Sequence, residues 1–358
     1  MRKESGISLL EVVIALAIVM LVLYAAITFF IGSVRQYKVQ TKIIETNVEG
    51  VLGLELLRRD VESLGFGLHW NDGVPYTERT AGAAQAVALT DSPAAPRPVV
   101  SINGAASTVN GSDYLVIRSA RVGRSDAAGK WTTLRTGSVT RDWGSAEENL
   151  SSGDQVIVIA PGGVNQDRRT LLTLAAGTPF TSTGPSGFAP IDPAQVHIVY
   201  GIDDGPLARP FNRAEYFIDN ASVTVPPRCA PNTGVLVKAV VRHDTGTTPA
   251  SELLPLLDCV ADLQVVYMLD TDGNPSTPPI PSDDISGMTA DAIRAQLKEV
   301  RLHILAQEGQ RDDNFRYPSA SVLVGPDNAV GRNFDVSGTR NYRWKAYSIV
   351  VKPRNLAN

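Results

Sequence analysis

The chain has little of what catalytic or nucleic-acid-binding proteins usually show. Only 2 of its 358 residues are cysteine, 4 are histidine, and aromatic side chains make up 6%. Acidic residues outnumber basic ones, 37 to 33, and the basic residues form no patch, so no nucleic-acid partner is directly indicated. A glycine-rich phosphate loop, a Gly-x-Ser-x-Gly motif and a Cys-x-x-Cys motif are all missing. We therefore predict no enzyme activity, no catalytic or metal-binding residue and no cofactor.

Two weak metal signals do not change that prediction. The segment Asp270-Thr-Asp272-Gly-Asn274 has the spacing with which a calcium-binding loop opens, but the distal glutamate of such a loop is missing. Asp283 or Asp284 could replace the glutamate, and a polar turn is the favoured interpretation. The histidines lie far apart, with no partner at metal-ligand spacing: His69, His197, His243 and His303.

What the chain does have is an apolar N-terminal segment of membrane length. From Ile7 to Ile31 it is almost unbroken, and at 1.5 Å per residue a helix of this segment would span about 37 Å, more than a hydrocarbon core of about 30 Å. Glu11 interrupts it, although a charge at membrane depth costs a few kcal/mol unless it is paired. Arg2 and Lys3 precede the segment and favour a cytoplasmic N-terminus, with the remainder of the chain outside.

Two ordinary interpretations of this segment are unsatisfactory. The apolar run is too long for the core of a cleaved signal peptide, and no clear small-x-small cleavage site follows it. A plain signal anchor would leave Glu11 unexplained.

The motif Gly6-Ile7-Ser8-Leu9-Leu10-Glu11 resembles the leader junction of type IV prepilins and type II secretion pseudopilins. The resemblance implies that prepilin peptidase removes residues 1–6 by cutting between Gly6 and Ile7 and then N-methylates Ile7, a position at which the family more often has phenylalanine. The cut would leave an ammonium group on Ile7. Glu11 of one subunit could then meet the ammonium group of a neighbour, because a buried carboxylate is tolerated next to an opposite charge. Glu11 is therefore predicted to form an assembly charge pair.

Helical periodicity continues beyond the membrane segment. We predict a transmembrane or filament-core helix at 7–31 and an amphipathic continuation at 32–68, helical to Leu64, with Gly65-Phe66-Gly67 as the stop. Gly32, Gly50 and Gly53 are either soft points or close packing contacts. One apolar stripe faces the rest of the protein: Ile44, Val48, Val51, Leu54, Leu57, Val61 and Leu64.

Residues 69–358 are predicted to form a β-rich globular head, which makes the fold class α+β: a long N-terminal helix packed on a mainly antiparallel β domain. A short helix is expected at Ala290–Leu297 with Thr289 as its N-cap, and surface loops at Ala81–Pro98 and Thr271–Ser286. Alternation and turn residues predict eight strands: Tyr114–Arg118, Gln155–Ile159, Val196–Tyr200, Ala214–Ile218, Val235–Arg242, Leu263–Leu269, Val300–Ala306 and Arg343–Val351.

The order of landmarks in the head is similar to that of PilW-type minor pilins. They include Ser112–Ile117, Gly153–Val158, Cys259–Tyr267 and the closing Val350–Asn355. This resemblance implies a structural subunit that primes pilus assembly, and the pilus tip is a location that the family allows for it. The subunit would first be held in the inner membrane by a single span, with its head extracytoplasmic. It would later be part of the pilus at the cell surface. Implied partners are prepilin peptidase, other minor pilins, the major pilin, the inner-membrane assembly machinery and a tip adhesin.

Two other functions stay open. A type II secretion pseudopilin of the J class would share the same leader and helix. A membrane-anchored extracytoplasmic binding protein or enzyme would keep Met1. The two cysteines, Cys229 and Cys259, are expected to form a disulfide if the head is exported, stabilising it by about 3 kcal/mol in the chain-entropy model. The alternative is two unrelated buried thiols.

Overall fold

The computed structural model describes residues 8–80, 84–162, 169–173, 185–249 and 252–356. Its longest element is the helix α1, Leu9–Glu62, whose 54 residues extend about 81 Å. The Ser8 hydroxyl caps the helix by accepting a hydrogen bond from the Leu10 amide at 3.3 Å, and no proline interrupts it. It ends two residues before the predicted Leu64. Beyond its end, Gly65 and Gly67 adopt positive φ angles of 76° and 71° that other residues rarely reach.

The described residues after α1 form two short α-helices, α2 (Ala84–Ala88) and α3 (Ala290–Gln296), several single-turn 3-10 helices and fifteen strands. The strands are β1 Val99–Ile102, β2 Tyr114–Ser119, β3 Trp131–Arg135, β4 Val139–Thr140, β5 Gln155–Ala160, β6 Thr170–Leu171, β7 His197–Asp203, β8 Asn212–Asp219, β9 Gly234–Val240, β10 Leu254–Leu269, β11 Ile280–Ser282, β12 Leu297–Glu308, β13 Ser321–Val324, β14 Arg332–Asp335 and β15 Arg343–Val351.

The strands build two antiparallel sheets and a hairpin. The larger sheet has the order β1-β2-β8-β9-β10-β12-β15, and β11 pairs with the end of β10 on the side opposite β12. The smaller sheet has the order β4-β3-β7-β5-β6, and β13 pairs with β14. The α+β prediction is confirmed, and each predicted strand corresponds to an observed one. The predicted loops were partly wrong, because Ala81–Pro98 contains α2 and Thr271–Ser286 contains β11.

The second half of α1 packs on the larger sheet. Leu54, Leu57, Val61 and Leu64 are buried in the main core with residues of β8, β10, β12 and β15. Ile44 and Val51, which belong to the same predicted stripe, are each 62% exposed, so the prediction that they face the head was wrong, and the side chain of Val48 lies outside the described residues.

Glycine allows α1 to approach β10 closely. A Cβ built on Gly53 would lie 1.8 Å from the backbone oxygen of Leu256, and one on Gly50 would lie 2.9 Å from Leu257 Cδ1. A Cβ on Gly32 would meet nothing within 4 Å. Gly50 and Gly53 are therefore packing contacts.

A disulfide fixes the strand that receives the helix. Cys229, in the connection between β8 and β9, is bonded to Cys259 in β10, with 4.9 Å between the Cα atoms. The bond agrees with the expected pairing. Cys259 lies at an irregularity in β10 and has a φ of 56°. The disulfide thus closes a covalent loop next to Leu256 and Leu257, which contact α1.

Candidate functional site

The first half of α1 is an apolar surface without a partner in the described chain. Every residue from Ser8 to Val34 is exposed, including Phe29 and Phe30. The segment Leu9–Ile44 is 36 residues long, reaches a mean hydropathy of 2.9 and is long and apolar enough to cross a membrane. Folded proteins rarely leave an apolar surface of this size in water. This half of the helix therefore requires lipid or other apolar helices around it.

Glu11 is the only charged residue between Ser8 and Val34, and it lies in the first turn of α1. Its side chain is exposed, and no ion-pair partner for it occurs among the described residues. An acidic residue in the first turn interacts favourably with the helix dipole, by about 0.3–1 kcal/mol, which does not compensate for burial in lipid. Gly6 and Ile7, the predicted cleavage and methylation residues, lie outside the described residues.

The second half of α1 also carries a carboxylate, Asp60, and here the partners are in the same chain. Lys238 Nζ on β9 lies 2.7 Å from Asp60 Oδ2, and the hydroxyl of Tyr216 on β8 donates a hydrogen bond to the same oxygen. All three residues are buried. Burial and the neighbouring Asp60 carboxylate raise the pKa of Tyr216 well above its usual value. This group anchors the helix to two strands.

A second buried ionic cluster holds the segment after α1 against the sheet. Arg118 and Arg213 contact the fully buried carboxylate of Glu78 at 2.6 and 2.8 Å, and Arg213 also contacts Glu215 at 2.8 Å. Burial would raise the pKa of Glu78, but the two guanidinium groups hold it below its ordinary value. Arg213 also donates to the backbone oxygen of Ala86 at 2.7 Å. The cluster is consistent with a structural role.

Asp60 and this cluster were missed by the sequence analysis. Asp60 lies three residues after Leu57 and four before Leu64. This helical spacing places it on the buried face of the helix, and it could have been identified from the sequence. Glu78, Arg118 and Arg213 lie far apart in sequence, and no spacing rule joins them.

Among the described residues, the other candidates, which are the Asp270–Asn274 segment and the histidines, do not come together in one site. Asp270, Asp272 and Asn274 accept hydrogen bonds from nearby backbone amides at 2.8–3.0 Å, as in a polar turn. Among the described residues, no group of three or more histidine, cysteine, aspartate or glutamate side chains could hold a metal ion. Burial and nearby guanidinium groups lower the pKa of His69 to about 3 and of His243 to about 2.

Comparison with known proteins identifies the N-terminal segment. Residues 1–27 match the family model described as the prokaryotic N-terminal methylation motif. No curated protein matches the chain. Among solved structures, a type IV-like pilin from Thermus thermophilus matches with 10% identity and a TM-score of 0.33, over 87% of this chain and 97% of that one. Residues 1–27 of this chain thus carry the prokaryotic N-terminal methylation motif, and the motif runs into the long, exposed apolar helix α1.

Proposed function

We propose that the chain is a minor type IV pilin of the PilW type, a structural subunit that primes pilus assembly and occupies the pilus tip. The observation that carries the proposal is the exposed apolar half of α1. Its single charged residue, Glu11, lies inside the matched methylation motif. A pilin needs such a surface twice, first in the membrane and then among the helices of the filament. The large β-rich head favours a specialised subunit over the major one.

The proposed mechanism begins at the leader. Prepilin peptidase removes residues 1–6, and the new N-terminus at Ile7 is methylated and positively charged. Before assembly, residues 7–31 lie in the inner membrane with the head, 69–358, on the extracytoplasmic side, and residues 32–68 connect the two. On assembly, Glu11 pairs with the ammonium group of a neighbouring subunit. A subunit at the wrong height would leave both charges unpaired in an apolar environment, so the pair selects the correct register.

The proposed partners follow from these steps. The peptidase acts on the leader, the inner-membrane assembly machinery extracts the helix, and other minor pilins and the major pilin surround it. A tip adhesin would contact the head. None of these steps requires a catalytic group in this chain.

The N-terminus gives the first test. Mass spectrometry of the membrane-extracted protein should find N-methylated Ile7 as the first residue. Retention of Met1 would contradict the pilin proposal and favour a membrane-anchored binding protein or enzyme. The Gly6→Leu variant is a control, because a bulky residue at the cut should leave the leader attached while the protein still inserts.

Deletion of the gene separates the pilus from its closest alternative. Loss of surface filaments with type II secretion intact is expected for a minor pilin. Loss of secretion with normal filament numbers would instead identify a pseudopilin of the J class.

A further inference from the structure

The outer edge of β15 is unusually regular for an edge strand. It pairs with β12 without interruption from Arg343 opposite Glu308 to Val351 opposite Val300, whereas the pairings of β10 contain register shifts. The strand contains no proline, and no described strand pairs with its other side. An edge of this kind presents a row of backbone donors and acceptors that can pair with another chain.

The opposite edge of the same sheet is protected. The edge strand β1 has only four residues, and the segment after β11 lies beside it. Asn103 Nδ2 donates to Asp283 at 2.6 Å, and Arg97 Nη1 donates to the Ser286 backbone oxygen at 2.9 Å. Short strands and covering segments are the usual ways of blocking an edge. Of the two ends of this sheet, the β15 end is the one suited to accept a strand.

The side chains of β15 would favour such an addition. Tyr347 and Ile349 pack against the main core under α1, while Ala346, Ser348 and Val350 are exposed. Lys345 is the only charged residue between Trp344 and Val351, and it is paired with Glu308 at 2.6 Å. A strand added beside β15 could therefore extend an apolar layer next to Ile349 and cover Val350, and main-chain hydrogen bonds would supply the remaining affinity.

We propose that β15 accepts an extended segment from the head of a different pilin-superfamily subunit in the assembled complex. The proposal rests on the proposed function and adds where the neighbouring head binds. Its basis is the position of α1, which packs mainly on β10, also on β12 and β15, and reaches β8 and β9 through Asp60, so it covers the half of the sheet that ends in β15. A subunit whose apolar helix packs beside α1 on this side would bring its head next to β15.

The direction of α1 argues against β15 of a second copy as the partner strand. Ile43 lies near Gly309, just after β12, and the Arg354 amide lies 3.5 Å from the Glu62 oxygen, so α1 and β15 run the same way. When two identical β15 edges pair symmetrically, a twofold axis relates them. Their backbone N–H and C=O groups then match only if the two strands run antiparallel. That pairing would point the two α1 helices in opposite directions, and both could not enter one membrane from the same side. The partner must therefore offer a different strand.

Site-specific cross-linking in cells that contain the complete pilus system tests this proposal. The full-length chain would carry the photo-reactive p-benzoylphenylalanine at Val350, which is 53% exposed. The matched control carries it at Val139 in β4, which is 58% exposed but belongs to the other sheet. Adducts from membranes and sheared filaments would be identified by mass spectrometry of the joined peptides. We expect Val350 adducts with the head of another protein that carries the methylation motif, in about fivefold excess over Val139 adducts.

A second pair of variants measures the same contact without a cross-linker. Val350→Lys should lower recovery of the chain in sheared filaments about fivefold relative to Val139→Lys, because a lysine on an edge strand opposes pairing. Equal cross-linking at the two positions, adducts between two copies of this chain, or equal recovery of the two lysine variants would overturn the proposal. If one of these results is found but Ile7 is methylated and the chain enters filaments, the proposed minor-pilin function still holds. Retention of Met1 would contradict both the β15 proposal and the minor-pilin proposal.

Discussion

The two halves of α1 show that hydrophobicity and burial can be uncoupled within one helix. The more apolar half, from Leu9 to Val34, is exposed, whereas the more polar half, from Gly50 to Glu62, buries Leu54, Leu57 and Val61 in the head. Burial in a folded chain depends on whether the same chain supplies a complementary surface. The second half finds one in the larger sheet, and the first half has to find one outside the head.

The carboxylates of the two halves sharpen this difference. Asp60 has Lys238 and Tyr216 within the same chain, and its group is complete once the head is folded. Glu11 has no ion-pair partner among the described residues. Removal of the Asp60 charge, at the anchored end of α1, should therefore lower the stability of the head. Removal of the Glu11 charge, at the other end, should instead reduce assembly.

The largest effect is expected from Glu11→Ala. Breaking a buried charge pair costs about 3–5 kcal/mol, so recovery of this variant in sheared filaments should fall at least about tenfold. Membrane insertion should remain normal, because a charge is removed from an apolar segment. Glu55→Ala is the control on the same helix; its exposed pairs with Arg58 and Arg59 contribute little, and incorporation should not change. Normal incorporation of Glu11→Ala would refute the assembly charge pair.

Asp60→Ala tests the other half of the comparison. The substitution leaves the Lys238 ammonium buried without its partner, and we expect the free energy of unfolding to fall by about 3 kcal/mol. Denaturation of the detergent-solubilised full-length chain measures the change, with Lys238→Met and the double variant completing a mutant cycle. A loss below about 1 kcal/mol would show that the pair does not anchor the helix.

The comparison also explains which features the sequence could predict. Apolar periodicity and the glycines after Leu64 predicted α1 and its end, and alternating residues predicted strands such as Val300–Ala306, because these signals are local. β1, β3 and the hairpin β13-β14 were missed, since short strands are defined by the neighbours they pair with. Asp60 contacts residues 156 and 178 positions away, and Glu78 contacts Arg118 and Arg213, which are 40 and 135 positions away. Glu11 was identified by its place in a motif, and the partner proposed for it lies on another chain.

Gly53→Ala should have an intermediate effect and separates the two halves geometrically. The new methyl group would lie 1.8 Å from the Leu256 backbone oxygen, which no side-chain rotation can relieve. Overpacking of this kind costs about 1–3 kcal/mol and exceeds the gain in helix propensity. Gly32→Ala is the matched control, because its Cβ would meet nothing within 4 Å. Thermal unfolding should show a lower Tm for Gly53→Ala alone; equal Tm values would mean that α1 does not dock closely.

The last effect appears only when the pH is changed, and it should belong only to the docked end of α1. His69 follows that end, is buried, and has no hydrogen-bond partner for either ring nitrogen in the described structure. Burial, assisted by the Arg294 cation, lowers its pKa to about 3. Between that value and about 6.5, the unfolded chain binds a proton that the folded chain does not, so stability falls as the pH drops through this window. From pH 7 to pH 5 the loss of stability from this group should be about 2 kcal/mol.

His69→Phe removes the titrating group and should flatten the pH dependence of stability by that amount, whereas Glu11→Ala should leave it unchanged. An unaltered pH dependence in His69→Phe would mean that His69 is protonated in the folded head, and a change in Glu11→Ala would mean that the first half of α1 contributes to the stability of the head after all.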